Sequence, residues 1–226
     1  MKVRILRQKS PADKPYWQEF FYEKKDDQTV AGMLDDLNYK DNLKDINDNP
    51  APRIQWVCSC LQGMCGGCAM VINGKPALAC ETFLRDLKGD TVTIEPLKKF
   101  FTIADLVVDR SVIQENLKKV DAYIGEYKLS GNADYEQMYS AAKCLKCGLC
   151  LEVCPNYKDG SNFFGALFAN DCYLISSRSG TQKEKISESY GEHFAKGCSK
   201  SLACEDVCPM KISTLASIAR LNRGKV

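Results

Sequence analysis

Thirteen cysteines and a single histidine, His193, in a chain of 226 residues restrict what this sequence can fold around more than any other feature. An odd number of cysteines cannot all pair as disulfides. The N-terminal stretch Met1 to Ser10 alternates apolar and basic residues and lacks the apolar core of an export signal. The chain is therefore expected in the cytoplasm, where thiols stay reduced. One histidine excludes a multi-histidine zinc or iron site, a two-histidine Rieske centre and an HExxH protease. If metal is bound, sulfur holds it, and thiolate-only ligation at this density means iron–sulfur or zinc.

The cysteines are grouped. Five lie between 58 and 80, four between 144 and 154, three between 198 and 208, and Cys172 stands apart. The stretch from 81 to 143 holds none, which suggests two domains joined near residue 104: 1–103 and 104–226. In the first, Val3–Ile5, Gln18–Tyr22, Ala69–Ile72, Pro76–Cys80 and Thr91–Ile94 read as short strands, and Thr29–Leu37 as a helix. Asn73-Gly74 is a strong hairpin signal. From Leu106 the apolar period becomes helical, with Leu106, Ile113, Leu117, Val120, Ile124 and Tyr127 on one face and Ser111 and Gln114 as a capping box. Clusters at 137–153, 163–175 and 213–221 also suit helices. The fold class is α+β, a small sheet domain followed by an all-α domain.

Cys60-x4-Cys65-x2-Cys68, followed after eleven intervening residues by Cys80, has plant-type 2Fe–2S spacing. Gly63, Gly66 and Gly67 are expected to supply positive φ and remove side chains that would collide with a cluster. A zinc ribbon would instead need two short pairs. Cys58 fits no ligand pattern and reads as a buried spare thiol. Cys144-x2-Cys147-x2-Cys150-x3-Cys154-Pro155 is the bacterial ferredoxin run, whose last cysteine usually serves the other cluster. Cys198-x5-Cys204-x3-Cys208-Pro209 repeats it with Ser201 where the middle cysteine belongs. Crossing the ligands gives Cys144, Cys147, Cys150 and Cys208 a 4Fe–4S cluster. It leaves Cys154, Cys198 and Cys204, three thiolates that suit 3Fe–4S, unless the Ser201 oxygen keeps a fourth iron. Cys172 reads as structural, and His193 as a surface or capping residue.

The ordered segments SCLQGMCGGCAMVINGKPALAC (59–80), LVVDRS (106–111), CLKCGLCLEVCPN (144–156) and CSKSLACEDVCP (198–209) resemble the iron–sulfur subunit of succinate dehydrogenase and fumarate reductase over essentially the whole chain. That resemblance implies an N-terminal β-grasp plant-type ferredoxin domain and a helical bacterial-ferredoxin-like domain. It implies an electron-transfer subunit with no catalytic residue of its own. Electrons would pass between a flavoprotein subunit carrying FAD and a quinone at a membrane anchor, with or without haem, through 2Fe–2S, 4Fe–4S and 3Fe–4S clusters. It places the chain peripherally on the cytoplasmic face of the cell membrane. The family's quinone contacts carry over only at Pro155. Ubiquinone-using members carry tryptophan soon after the first Cys-Pro and histidine after the first cysteine of the last run. Here Asn156, Tyr157 and Ser199 stand instead, closer to menaquinone-using relatives.

Rival readings are an iron–sulfur subunit of a soluble reductase with a non-quinone partner, a free ferredoxin-like carrier and a structural zinc protein. Nucleic acid is not an expected partner: 31 basic and 29 acidic residues give a net charge of +2 with no basic stripe. The longest nearly unbroken apolar run, Phe163 to Ala169, is far short of the roughly 18 residues of a membrane span.

Overall fold

The computed structural model describes residues 1–131 and 133–224 and divides the chain into two compact units, Met1–Asp109 and Arg110–Val226. The first unit is a five-stranded sheet in the order β2-β1-β5-β3-β4. Its strands are β1 (Lys2–Arg7), β2 (Tyr16–Phe21), β3 (Ala69–Ile72), β4 (Lys75–Leu78) and β5 (Thr91–Glu95). β1 runs parallel to β5, with Val3 opposite Val92 and Ile5 opposite Ile94, and the other pairings are antiparallel. Alternation along β1 sends Val3, Ile5 and Arg7 inward. β3 lies between two neighbours, and all four of its residues are buried. Asn73 and Gly74 turn the β3–β4 hairpin with φ of +48° and +75°.

Helix α1 (Val30–Asn38) starts at Thr29, whose hydroxyl accepts the Gly32 N–H at 3.1 Å. It buries Val30, Ala31, Met33, Leu34 and Leu37, an apolar stripe at helical spacing. Each large side chain of that stripe contributes about 1.5–3 kcal/mol by leaving water. A separate hairpin, β6 (Phe101–Ala104) and β7 (Val107–Asp109), closes the unit. The sequence-based junction at 104 thus falls inside this hairpin.

An ion pair fixes that hairpin. Arg7 and Asp105 are only 1% and 3% exposed, with Arg7 Nε 3.0 Å from Asp105 Oδ1. Asp105 also accepts the backbone N–H groups of Gln8 (2.9 Å) and Gln55 (2.8 Å). Arg7 donates to Gln18 Oε1 at 2.7 Å and to the carbonyls of Pro52 and Arg53 at 3.1 Å. The segment that leads into the first cysteine cluster is therefore tied to the sheet.

The second unit is helical, with α2 (Ser111–Lys119), α3 (Tyr135–Ala142), α4 (Leu149–Val153), α5 (Ala166–Arg178), α6 (Lys183–Tyr190), α7 (Ala203–Asp206) and α8 (Thr214–Asn222). The helix expected from Leu106 to Tyr127 is shorter. Leu106 sits in the β6–β7 turn, and α2 ends at Lys119. Ser111 is the first helical residue and not the cap, a place taken by Arg110. The helical cluster expected at 137–153 is split into α3 and α4 by the cysteine loop. α5 is the core element, buried nearly all round and packed against α3, α6 and α8. Gln137 ties α3 to α8 by donating to Ser217 Oγ at 2.8 Å and the Ser213 carbonyl at 2.9 Å. No helix among the described residues is long and apolar enough to cross a membrane.

Candidate iron–sulfur centres

The first centre is built by a loop between α1 and β3 and by the turn after β4. The return strand expected over Pro76–Cys80 stops at Leu78, and Cys80 lies in a tight 3-10 turn, Ala79–Glu81. That turn carries its thiol back to the loop. Cys68 and Cys80 are buried, their sulfurs 3.3 Å apart, while Cys60 is half-buried and Cys65 exposed. Cys60 and Cys65 interact through their side chains, so the four thiols fall into two neighbouring pairs. A two-iron rhomb asks for two thiolates on each iron, and this donor set fits it.

Backbone N–H groups surround the sulfurs. Met64 and Gln62 donate to Cys60 Sγ at 3.2 and 3.5 Å, Gly63 to Cys80 Sγ at 3.3 Å, and Gly67 to Cys65 Sγ at 3.4 Å. Hydrogen bonds to the ionised form favour it. They pull the Cys60 thiol down to about 7. Burial, followed by the hydrogen bond with Cys68, pushes Cys80 up to about 12. Of the three glycines, Gly63 and Gly66 take positive φ. Gly67 serves by close approach: a Cβ there would meet Val57 Cγ1 at 3.2 Å and Cys65 Sγ at 3.5 Å.

Cys58 is exposed, contrary to the buried reading of the sequence, because residues 57–59 run along the surface. Asp35 and Cys65 lie close enough to raise its pKa further, beyond the effect of desolvation.

In the second unit the two cysteine runs fold alike. Lys146 and Lys200 both take left-handed φ (+54° and +58°), as do Gly148 and Leu202 (+87° and +60°) immediately before α4 and α7. These two short helices pack on each other. Cys144, Cys147, Cys150 and Cys208 line one cavity, together with Asn170 and Thr214. Cys154, Cys198, Ser201 and Cys204 line a second, of about 280 Å³. Cys204 also reaches the wall of the first, although its strongest thiol neighbours are Cys154 and Cys198.

Burial raises Cys144, and it lifts Cys150 well above the ordinary thiol range. It pushes Cys147 and Cys204 up to about 11. Buried thiols crowded together are costly to ionise without a cation, so this donor set calls for metal. Asn170 points the same way. It is 3% exposed and its Nδ2 donates to Thr214 Oγ at 3.1 Å, but its Oδ1 has no partner among the described residues. No three His, Cys, Asp or Glu side chains among the described residues converge as a single-ion site requires. The cysteines ring cavities instead.

Pro155 is exposed in the turn after α4, outside the wall of the 280 Å³ cavity. Leu215, Ile218 and Asn222 of α8 and its C-terminal cap Arg223, which do line it, carry no signal in the sequence, since they meet the third run only through the fold. Cys172 is fully buried in α5. His193 is half-buried rather than free on the surface. Its ring stacks on Phe164 at 4.2 Å, and its Nδ1 is 3.0 Å from the Asn162 carbonyl.

The match to known proteins is extensive. Residues 2–115 fit the model of a 2Fe-2S iron-sulfur cluster binding domain, and residues 140–212 that of a 4Fe-4S dicluster domain. The fold and its thiol centres thus define a two-domain iron–sulfur protein. The chain is 32% identical to the succinate dehydrogenase iron-sulfur subunit of Bacillus subtilis, over 97% of this chain and 90% of that protein. It is 31% identical to the fumarate reductase iron-sulfur subunit of Escherichia coli O6:H1, over 100% and 92%. The chain belongs to the family of succinate dehydrogenase and fumarate reductase iron–sulfur subunits, and its work is electron transfer. In fold it matches a chain of the Mycobacterium smegmatis Sdh1 complex in the apo form, with a TM-score of 0.74 and 24% identity over 99% of this chain and 96% of that one.

Proposed function

We propose that Cys60, Cys65, Cys68 and Cys80 hold a 2Fe–2S cluster, Cys144, Cys147, Cys150 and Cys208 a 4Fe–4S cluster, and Cys154, Cys198 and Cys204 a 3Fe–4S cluster. When bound, such clusters supply single-electron transfer between a two-electron flavin and a quinone. The partners are a flavoprotein subunit with FAD and a membrane anchor with its quinone, which would hold the chain at the cytoplasmic face of the membrane. The two domains would meet just after the β6–β7 hairpin, a few residues beyond the junction at 104 read from the sequence.

The observation that carries the ligand sets is the crossing of the runs. Cys208 lies along one wall with Cys144, Cys147 and Cys150, and Cys154 along the other with Cys198 and Cys204. This chain's own groups bind and shield. The N–H groups of residues 62–67 orient the first thiols, and Phe163, Phe194 and Ile218 keep the second cavity apolar. Ser201 is the reason for three irons: its hydroxyl is a poor, protonated ligand beside a thiolate. Electron paramagnetic resonance of the oxidised protein tests this. A 3Fe–4S signal is expected. An oxidised sample with no signal and iron for two complete cubanes overturns it.

A further inference from the structure

Lys146 sits in the loop between Cys144 and Cys147, and its ammonium pairs with both carboxylate oxygens of Asp171 on α5. The pair is largely withdrawn from water, at 30% and 13% side-chain exposure. Asp171 lies between Asn170, which lines the first cavity, and the buried Cys172. Both charges act on the Cys144 thiol, in opposite directions.

The repeat provides an internal contrast. Lys200 holds the same place between Cys198 and Ser201, with the same left-handed backbone. It is exposed and lines the second cavity, with no carboxylate partner among the described residues. One cysteine loop has its cation neutralised and the other does not.

We propose that Asp171 is a redox-setting positioning residue, which cancels the Lys146 charge and keeps the reduction potential of the centre held by Cys144, Cys147, Cys150 and Cys208 low. This rests on the ligand reading above. A cation withdrawn from water favours an added electron nearby, and an anion opposes it. A paired charge does little of either, so each half of the pair hides the effect of the other.

The test is a redox titration of the 4Fe–4S signal in the intact complex, followed by electron paramagnetic resonance. Asp171→Asn exposes the cation and is expected to shift the reduction equilibrium at least tenfold toward the reduced form, about 59 mV upward for one electron. Lys146→Gln is expected to move it downward. The double variant returns toward wild type, and Lys146→Arg stays near it. A merely structural clamp would move both single variants the same way, and that result, or no shift in either, overturns the proposal. Should Asp171→Asn not assemble, Lys146→Gln and Lys146→Arg decide by sign alone: a fall with Gln and none with Arg supports the proposal, and any other pattern overturns it. A wild-type complex with no 4Fe–4S signal overturns the ligand reading itself, and is recognised before any variant is compared.

Discussion

Asp105→Asn removes one charge from the buried Arg7–Asp105 pair and, because an amide nitrogen cannot accept, one of the two backbone hydrogen bonds from Gln8 and Gln55. Asn is nearly the same shape, and it tolerates the left-handed backbone of this position, φ +44°. Opposite charges 3.0 Å apart attract by roughly 5–6 kcal/mol at an effective dielectric of about 20. Breaking such a pair by losing one partner typically costs about 3–5 kcal/mol, because the remaining charge stays buried. Arg7 is 1% exposed and would keep its bonds to Gln18, Pro52 and Arg53, so its charge could not simply turn out to water. The expected loss is therefore about 3–5 kcal/mol, a large part of the 5–15 kcal/mol of an ordinary domain. Urea unfolding, with visible absorption reporting the 2Fe–2S centre, measures it. Removing both charges, Arg7→Met with Asp105→Asn, should cost less than Asp105→Asn alone, since no buried charge is then left unpaired. A loss under about 1 kcal/mol would refute the reasoning and mean that water reaches the pair.

Cys65→Ala is expected to abolish the 2Fe–2S absorption and leave both C-terminal centres, while Cys58→Ala leaves all three; loss of the 2Fe–2S signal in Cys58→Ala would show the ligand register to be wrong. Asp134→Ala removes the N-cap of α3, whose carboxylate accepts the Gln137 N–H at 3.0 Å, and should cost about 1 kcal/mol in denaturant melts. The Gln137 N–H, and after it Arg220, hold the Asp134 carboxyl below its usual range, so its contribution is intact above about pH 4 and fades as pH falls through the lowered value. The wild type should therefore lose more stability on acidification than Asp134→Ala does. The chain without a flavoprotein is expected neither to oxidise succinate nor to reduce fumarate, since that exchange needs a two-electron acceptor with proton transfer; turnover by the purified chain alone would contradict this.

The sequence carried most of the thiol arrangement because cluster ligands come from short loops with fixed spacing. The Asn73-Gly74 turn and the alternation of β1 were legible for the same reason: each depends on neighbours in the chain. What was not legible depends on distant partners. Arg7 continues the inward face of β1 but reads as an exposed cation until Asp105, far along the chain, is brought to it. α5 hides its period because it is buried nearly all round. Cys58 reads as a buried spare thiol because it fits no ligand spacing, but spacing says nothing of burial, and its segment lies on the surface. His193 has no sequence partner, and its place on Phe164 arises from the fold. The pairing of Lys146 with Asp171 joins two residues whose spacing carries no signal.

Electron transfer from substrate into the centres of this chain can be tested in one measurement. The complex that co-purifies with the chain is mixed anaerobically with succinate and frozen for electron paramagnetic resonance. The oxidised 3Fe–4S signal is expected to disappear, and to return when quinone or fumarate is added. A signal that persists unchanged while the flavin is reduced would contradict the assignment of this chain as the path between flavin and quinone.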